Sequence, residues 1–85
     1  MNIYVRNLNF SLEEPELEQI FRQFGEVSSV KIIKDKFTGR AKGFGFVEMP
    51  NEQEGLAAIE KLNGTDVKGR NMFVDKANPP KDKNA

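Results

Sequence analysis

No cysteine, histidine or tryptophan occurs among the 85 residues. Without cysteine there is no disulfide framework and no thiol nucleophile; without histidine there is no imidazole base, and the usual zinc ligands are missing. No cofactor, no metal and no enzymatic chemistry are therefore expected. Long apolar runs are missing too, none approaching the ~20 residues that a membrane span requires. The first ten residues, MNIYVRNLNF, lack a basic leader followed by a long apolar stretch. The expectation is a soluble, cytoplasmic chain with no membrane partner. Charge of one sign is also lacking, because thirteen Lys and Arg cancel thirteen Asp and Glu. For a ligand held by phosphate attraction, such neutrality counts against tight binding.

The distribution of charge says more than its sum. Between Lys31 and Lys42 five basic residues (Lys31, Lys34, Lys36, Arg40, Lys42) face only Asp35, whereas Glu13 to Glu26 holds five glutamates against Arg22. One side of the molecule is expected to be positive and another negative. The length suits one domain, and 38% hydrophobic residues suffice for one core.

NIYVRNL (2–8) alternates and is rich in β-formers, which predicts a strand. Leu17, Ile20, Phe21 and Phe24 then recur at helical spacing, with Gly25 as a stop. Ser11 with Glu14 resembles a capping box, but that start would place Pro15 where an intrahelical donor is needed; a start near Glu13 leaves Pro15 harmlessly in the first turn. Val27 to Lys34 and Ala41 to Met49 read as two strands joined by the polar loop DKFTGR, short enough for an antiparallel hairpin. Pro50 ends the second of these. Asn51 with Glu54 resembles a helix cap, Gly55, Ala58, Ile59 and Leu62 form a narrow apolar face, and Asn63-Gly64 closes that helix. Asn71 to Ala77 predicts a last strand, and NPPKDKNA has neither periodicity nor apolar content. The reading is one domain over residues 1–77 with a flexible tail, 78–85. Its class is α+β: a ferredoxin-like split βαβ sandwich, a four-stranded antiparallel sheet with both helices on one face.

In that architecture one sheet face has no cover. Alternation assigns Phe44, Phe46 and Glu48 to one side of their strand and Gly45, Val47 and Met49 to the other. Burying the first set would bury an unpaired Glu48 carboxylate, at a cost of several kcal/mol in the order-of-magnitude sense. Phe44 and Phe46 therefore belong on the open face. The same parity puts Tyr4 and Arg6 outside and Ile3 and Val5 inside. The three rings form one surface if the first and third strands are neighbours, which spacing alone does not prove. Exposed flat rings suit flat ligands: unpaired bases stack on them, and nearby cations hold the phosphates. Gly43 and Gly45 either let a backbone or sugar approach closely or serve as turn and bulge residues.

Lys42-Gly43-Phe44-Gly45-Phe46-Val47-Glu48-Met49 resembles the octapeptide of the RNA recognition motif, K/R-G-F/Y-G/A-F-V-x-F/Y, at every defined position but the last. IYVRNL, Ile3 to Leu8, is similar to that family's hexapeptide on the first strand. Asp35 with Thr38-Gly39-Arg40, Ala58-Ile59 with Leu62-Asn63-Gly64, and Gly69-Arg70 with Met72, Val74 and Ala77 also fall where the family has comparable residues. The resemblance spans about residues 2–77, and is greatest to short bacterial proteins made of one such motif and a brief tail. It implies a sheet order of 4-1-3-2, with Tyr4 and Phe46 each stacking a base, Phe44 packing against sugars, and Lys42 contacting phosphate. It also implies that Lys31, Ile33, Glu48, Phe73 and Asp75 border the platform. Arg6 and Arg40 would add charge, and Lys76, Ala77 and Asn78 would read base edges. Met49 departs from the final aromatic, but parity turns it inward, where methionine packs well. Arg6 stands where such proteins often carry glycine, which offers either a base or phosphate contact or a plain solvated arginine.

The partner expected from all this is single-stranded RNA, with single-stranded DNA not separable by motif, bound by a monomer acting as a post-transcriptional regulator or RNA chaperone. Neutral net charge predicts a salt slope of only about two phosphate equivalents, at about −0.7 each. Two other classes stay open: a protein-binding module on the same fold, and an acylphosphatase-like enzyme, which would need Arg40 and Asn63 brought together. Leu17, Ile20, Phe21 and Phe24 are expected in the core, and Phe10 over its edge. Phe37 is either an extra base contact or a loop anchor.

Overall fold

In the computed structural model, which describes residues 1–77, the chain runs β1 (Asn2–Arg6), α1 (Glu14–Arg22), β2 (Ser29–Lys34), β3 (Ala41–Glu48), α2 (Glu52–Leu62), β4 (Thr65–Val67) and β5 (Arg70–Lys76). Asn78 and the rest of the expected tail lie outside the described residues. The strands form one sheet in the order β2-β3-β1-β5-β4. β1 is thus central, antiparallel to β3 on one side and to β5 on the other. The adjacency of β1 and β3 is the one that the family resemblance implied.

The sheet has one strand more than the four expected. Lys68 and Gly69 both have positive φ, 54° and 88°, and join Val67 to Arg70 as a two-residue hairpin turn of the type that suits strand twist. The Asp66 carboxylate braces the turn by accepting from the Gly69 N–H at 2.9 Å. Lysine adopts the left-handed region reluctantly, so Lys-Gly is a faint hairpin signal. β2 begins at Ser29 rather than Val27, with the Ser28 N–H already donating to the Glu48 carbonyl at 2.8 Å.

Both helices start where chemistry asks. Glu13 is the extended cap of α1, its own N–H donating to the Glu16 carboxylate at 3.0 Å, and Pro15 sits in the first turn. The Asn51 side chain accepts from the Glu54 N–H at 3.0 Å to open α2. α1 lies against β2 and α2 against β5, both on the same sheet face. Ile3 and Val5, Leu17 and Phe21, Val47 and Met49, Ala58 and Leu62, Met72 and Val74 interlock there as one buried cluster, with Ile20 and Phe24 packed at its margin. Each large member contributes roughly 1.5–3 kcal/mol by leaving water. On the outer edge of β2, the Ile32 N–H donates to the Glu14 carboxylate of α1 at 3.0 Å.

β3 carries an irregularity that matters for the site. Ile32 stands opposite Gly45 and Lys34 opposite Ala41, so a two-residue step on β2 spans a four-residue step on β3. The surplus falls on Lys42–Phe44, with Gly43 at φ 90°.

Candidate nucleic-acid interface

The register lines up the open face in rows. Lys31, Phe46, Tyr4 and Asp75 stand side by side across β2, β3, β1 and β5; Phe44, Arg6 and Phe73 form the next row. The Tyr4 and Phe46 rings lie 5.4 Å apart at 32°, Tyr4 and Phe44 6.1 Å apart at 64°, and Phe44 and Phe46 6.4 Å apart at 89°. Phe46 is 40% exposed, while Tyr4 and Phe44 are half-buried against their neighbours. Contact among the rings, at distances where aromatic pairs gain beyond area alone, holds them in place. Glu48 lies exposed on the same face, opposite Asn2, with Ser29 Oγ donating to its carboxylate at 3.4 Å. Met49 is fully buried, as its parity required.

The cations are not equivalent. Lys31 is exposed directly across from Phe46, and Lys42 is exposed at the start of β3 beside Phe44. The Arg6 guanidinium sits 5.4 Å from the Phe73 ring centre and 3.8 Å from the Asp75 carboxylate. Phe73, 37% exposed, does face outward, and Ile33 is half-buried beside the β3 irregularity. Arg40 lies in the β2–β3 loop and lines a separate hollow with Ser11, Glu13 and Lys34. Asn63 is absent from that hollow and instead accepts from the Val74 N–H at 3.0 Å.

Two expectations need correction. Lys76, which the resemblance put among the groups that read base edges, turns its side chain away from the rings: it is registered with buried Ile3, shares the inward parity of Val74, and its ammonium lies 3.8 Å from Glu52 of α2. Phe10 does not cover the core, being 62% exposed. For the two glycines the fold supplies a reason of its own. A Cβ on Gly45 would overlap the Lys31 carbonyl oxygen of the adjacent strand, and one on Gly43 would come within 3.0 Å of the Phe10 ring. Phe37, 97% exposed, anchors nothing in its loop. That loop is shaped by Asp35, whose carboxylate accepts from the Phe37 and Thr38 N–H groups at 2.7 and 3.1 Å. Those two backbone bonds hold its carboxyl below the ordinary aspartate range.

A second feature had no sequence signal. Where β1 ends, Asn7 takes φ 60°, donates to the Asn71 carbonyl at 2.7 Å, and accepts from Arg70 Nη2 at 2.7 Å. The Arg70 guanidinium is thereby held 5.7 Å from the Phe10 ring centre. Between this pair and the platform lies a hollow of about 410 Å³, bounded by Tyr4 and Phe44 on one side, with Arg6 and Lys42 among its walls. Partners 63 residues apart leave no local pattern to read.

Among the described residues no group of three or more acidic side chains could hold a metal ion, and no helix is long and apolar enough to cross a membrane. Residues 3–72 match the family described as RNA recognition motif. RbpB of the cyanobacterium Nostoc sp., provisionally named an RNA-binding protein, is 45% identical over 98% of this chain and 81% of its own. The crystal structure of RNA-binding protein PG1 superposes with a TM-score of 0.88 at 45% identity, over 91% of this chain and 93% of that one. The Sxl-lethal protein/RNA complex follows at TM-score 0.87 and 32% identity, over 92% of this chain and 47% of that one.

Proposed function

The chain belongs to the RNA recognition motif family, a family of non-enzymatic RNA-binding modules, and from that premise we propose that it binds a few nucleotides of single-stranded RNA on the open sheet face. Tyr4 and Phe46 each stack a base, Phe44 packs against the sugars between them, and Lys31 and Lys42 hold phosphates. The observation that carries this reading is the cluster of three rings, 5.4 to 6.4 Å apart, on a face that neither helix of the described residues covers. Base stacking on such rings is worth roughly 1–3 kcal/mol per base and tolerates any base. The chain works as a cytoplasmic monomer that chaperones transcripts or regulates their use, with residues 1–77 as the binding domain.

The test is a titration of labelled single-stranded RNA, and of the matching DNA, against wild type and the Phe44→Ala/Phe46→Ala variant. The expected outcome is a loss of at least about tenfold with the far-ultraviolet spectrum unchanged. Equal binding by a folded double variant would sink the stacking model. Equal affinity for RNA and DNA would show that the 2′-hydroxyl is not read.

A further inference from the structure

We propose that the hollow between Phe44 and the Phe10–Arg70 pair holds one further nucleotide of the same RNA strand, its base stacked on the Arg70 guanidinium that Phe10 backs. This rests on the platform reading and extends it past the end of β1.

Phe10 is a large apolar ring, 62% exposed, that does not belong to the buried cluster. With Tyr4, Phe44 and Phe73 around the same hollow it belongs to one apolar patch rimmed by cations, the kind of patch that marks a contact surface. Its position is nonetheless defined, because it rests where Gly43 lacks a Cβ and φ is +90°. Arg70 is positioned by an amide, not by an acid: the Asn7 carbonyl oxygen accepts from Nη2 at 2.7 Å, and the Asn7 amide is tied to the Asn71 carbonyl. Arg6, by contrast, has Asp75 beside it, and Arg22 has Glu18 at 3.1 Å. Among the described residues Arg70 has no carboxylate within 4.0 Å, so its charge is not cancelled locally.

The walls of the hollow supply the rest. Arg6, Lys42 and Arg70 are its charged residues, and no carboxylate is among them. That complementarity fits a phosphate-bearing ligand, and Tyr4 and Phe44, shared with the platform, make the path continuous. Guanidinium planes and aromatic faces both accept unpaired bases, and a guanidinium already over a ring needs no reorganisation.

The experiment measures affinity for an oligouridylate series of about three to seven nucleotides with wild type, Phe10→Leu, Arg70→Gln and Arg70→Lys. Phe10→Leu keeps an apolar side chain against Gly43, and all four proteins are checked for the same amide spectrum. In wild type the affinity gain per added nucleotide is expected to persist for one nucleotide longer than in any variant, the lost step being roughly 5- to 100-fold. Arg70→Lys keeps the charge and loses the plane, so retention of the step by lysine would overturn stacking at this place. The same plateau length in all four proteins would overturn the subsite altogether. The Phe44→Ala/Phe46→Ala variant run on the three-nucleotide member separates the two readings, because its failure to weaken that member strikes the platform and leaves the length comparison standing.

Discussion

Arg6 reaches from β1 toward β5 and ends with Nη2 3.8 Å from the Asp75 carboxylate, beside the row that holds Tyr4 and Phe46. On the proposed reading, an acid at the border of this face competes with the ligand's phosphates for the nearest cation. The pair is exposed on both sides, so it adds little to stability.

Asp75→Asn should therefore bind single-stranded RNA about two- to fivefold tighter at low salt, with the magnitude of the salt slope rising by up to about 0.7 as one more phosphate is neutralised. Stability should change by no more than about 0.5 kcal/mol. Titrations at several salt concentrations check both, and an unchanged slope would mean that Arg6 does not reach phosphate.

Lys42, beside the rings, and Lys76, on the helix side, should behave differently. Lys42→Ala is expected to reduce the slope by about 0.7. Lys76→Ala should leave affinity and slope as they are, since that ammonium faces Glu52 on the helix side. Equal losses in the two variants would contradict the face assignment.

Gly45→Ala places a methyl group where the Lys31 carbonyl oxygen stands, in the centre of the β2–β3 pairing. The expected cost is roughly 1–3 kcal/mol, as for other insertions into packed sites. Urea denaturation should show a lower midpoint with an unchanged m-value. No loss of stability would show that β2 yields freely there.

Asp35 sets a pH dependence. Its carboxyl titrates lower in the folded chain than in an unfolded one because the Phe37 and Thr38 N–H groups bond to the charged form. The resulting stabilisation of the loop is complete above the ordinary aspartate range and is lost as pH falls through the folded pKa. Amide shifts of Phe37 and Thr38 should follow one acid transition, with a midpoint below that of an aspartate in an unstructured peptide. In Asp35→Asn that transition should vanish. A midpoint at or above the peptide value would refute the assignment.

The face of the rings was legible because Glu48 shares their parity: a charge that cannot be buried decides a strand's orientation without any tertiary information. Pro15 did the same for α1 by excluding an earlier start, and the alternation of Ile3 and Val5 with Tyr4 placed the first strand. The extra strand stayed hidden because its turn uses a lysine at positive φ, which composition does not announce. The resemblance put Lys76 among the base-edge readers without regard to alternation, which turns its side chain toward Glu52 on the helix side. The glycines, open to two readings, have a structural reason only in neighbours distant in sequence, the Lys31 carbonyl and the Phe10 ring. The Asn7–Arg70 bond likewise joins two loop ends that only the assembled sheet brings together.

The bond from the Ile32 N–H to Glu14 bears on how copies of the chain meet. A sheet with one bare aromatic face invites a second sheet to add on at its rim, where unpaired backbone groups act as a template. On the β2 rim that donor is already satisfied by a helix side chain, and on the opposite rim β4 offers only three residues. The ring-bearing face and the guarded rims are thus different parts of one sheet, and a glutamate far from the rings occupies a donor that a second sheet would otherwise use.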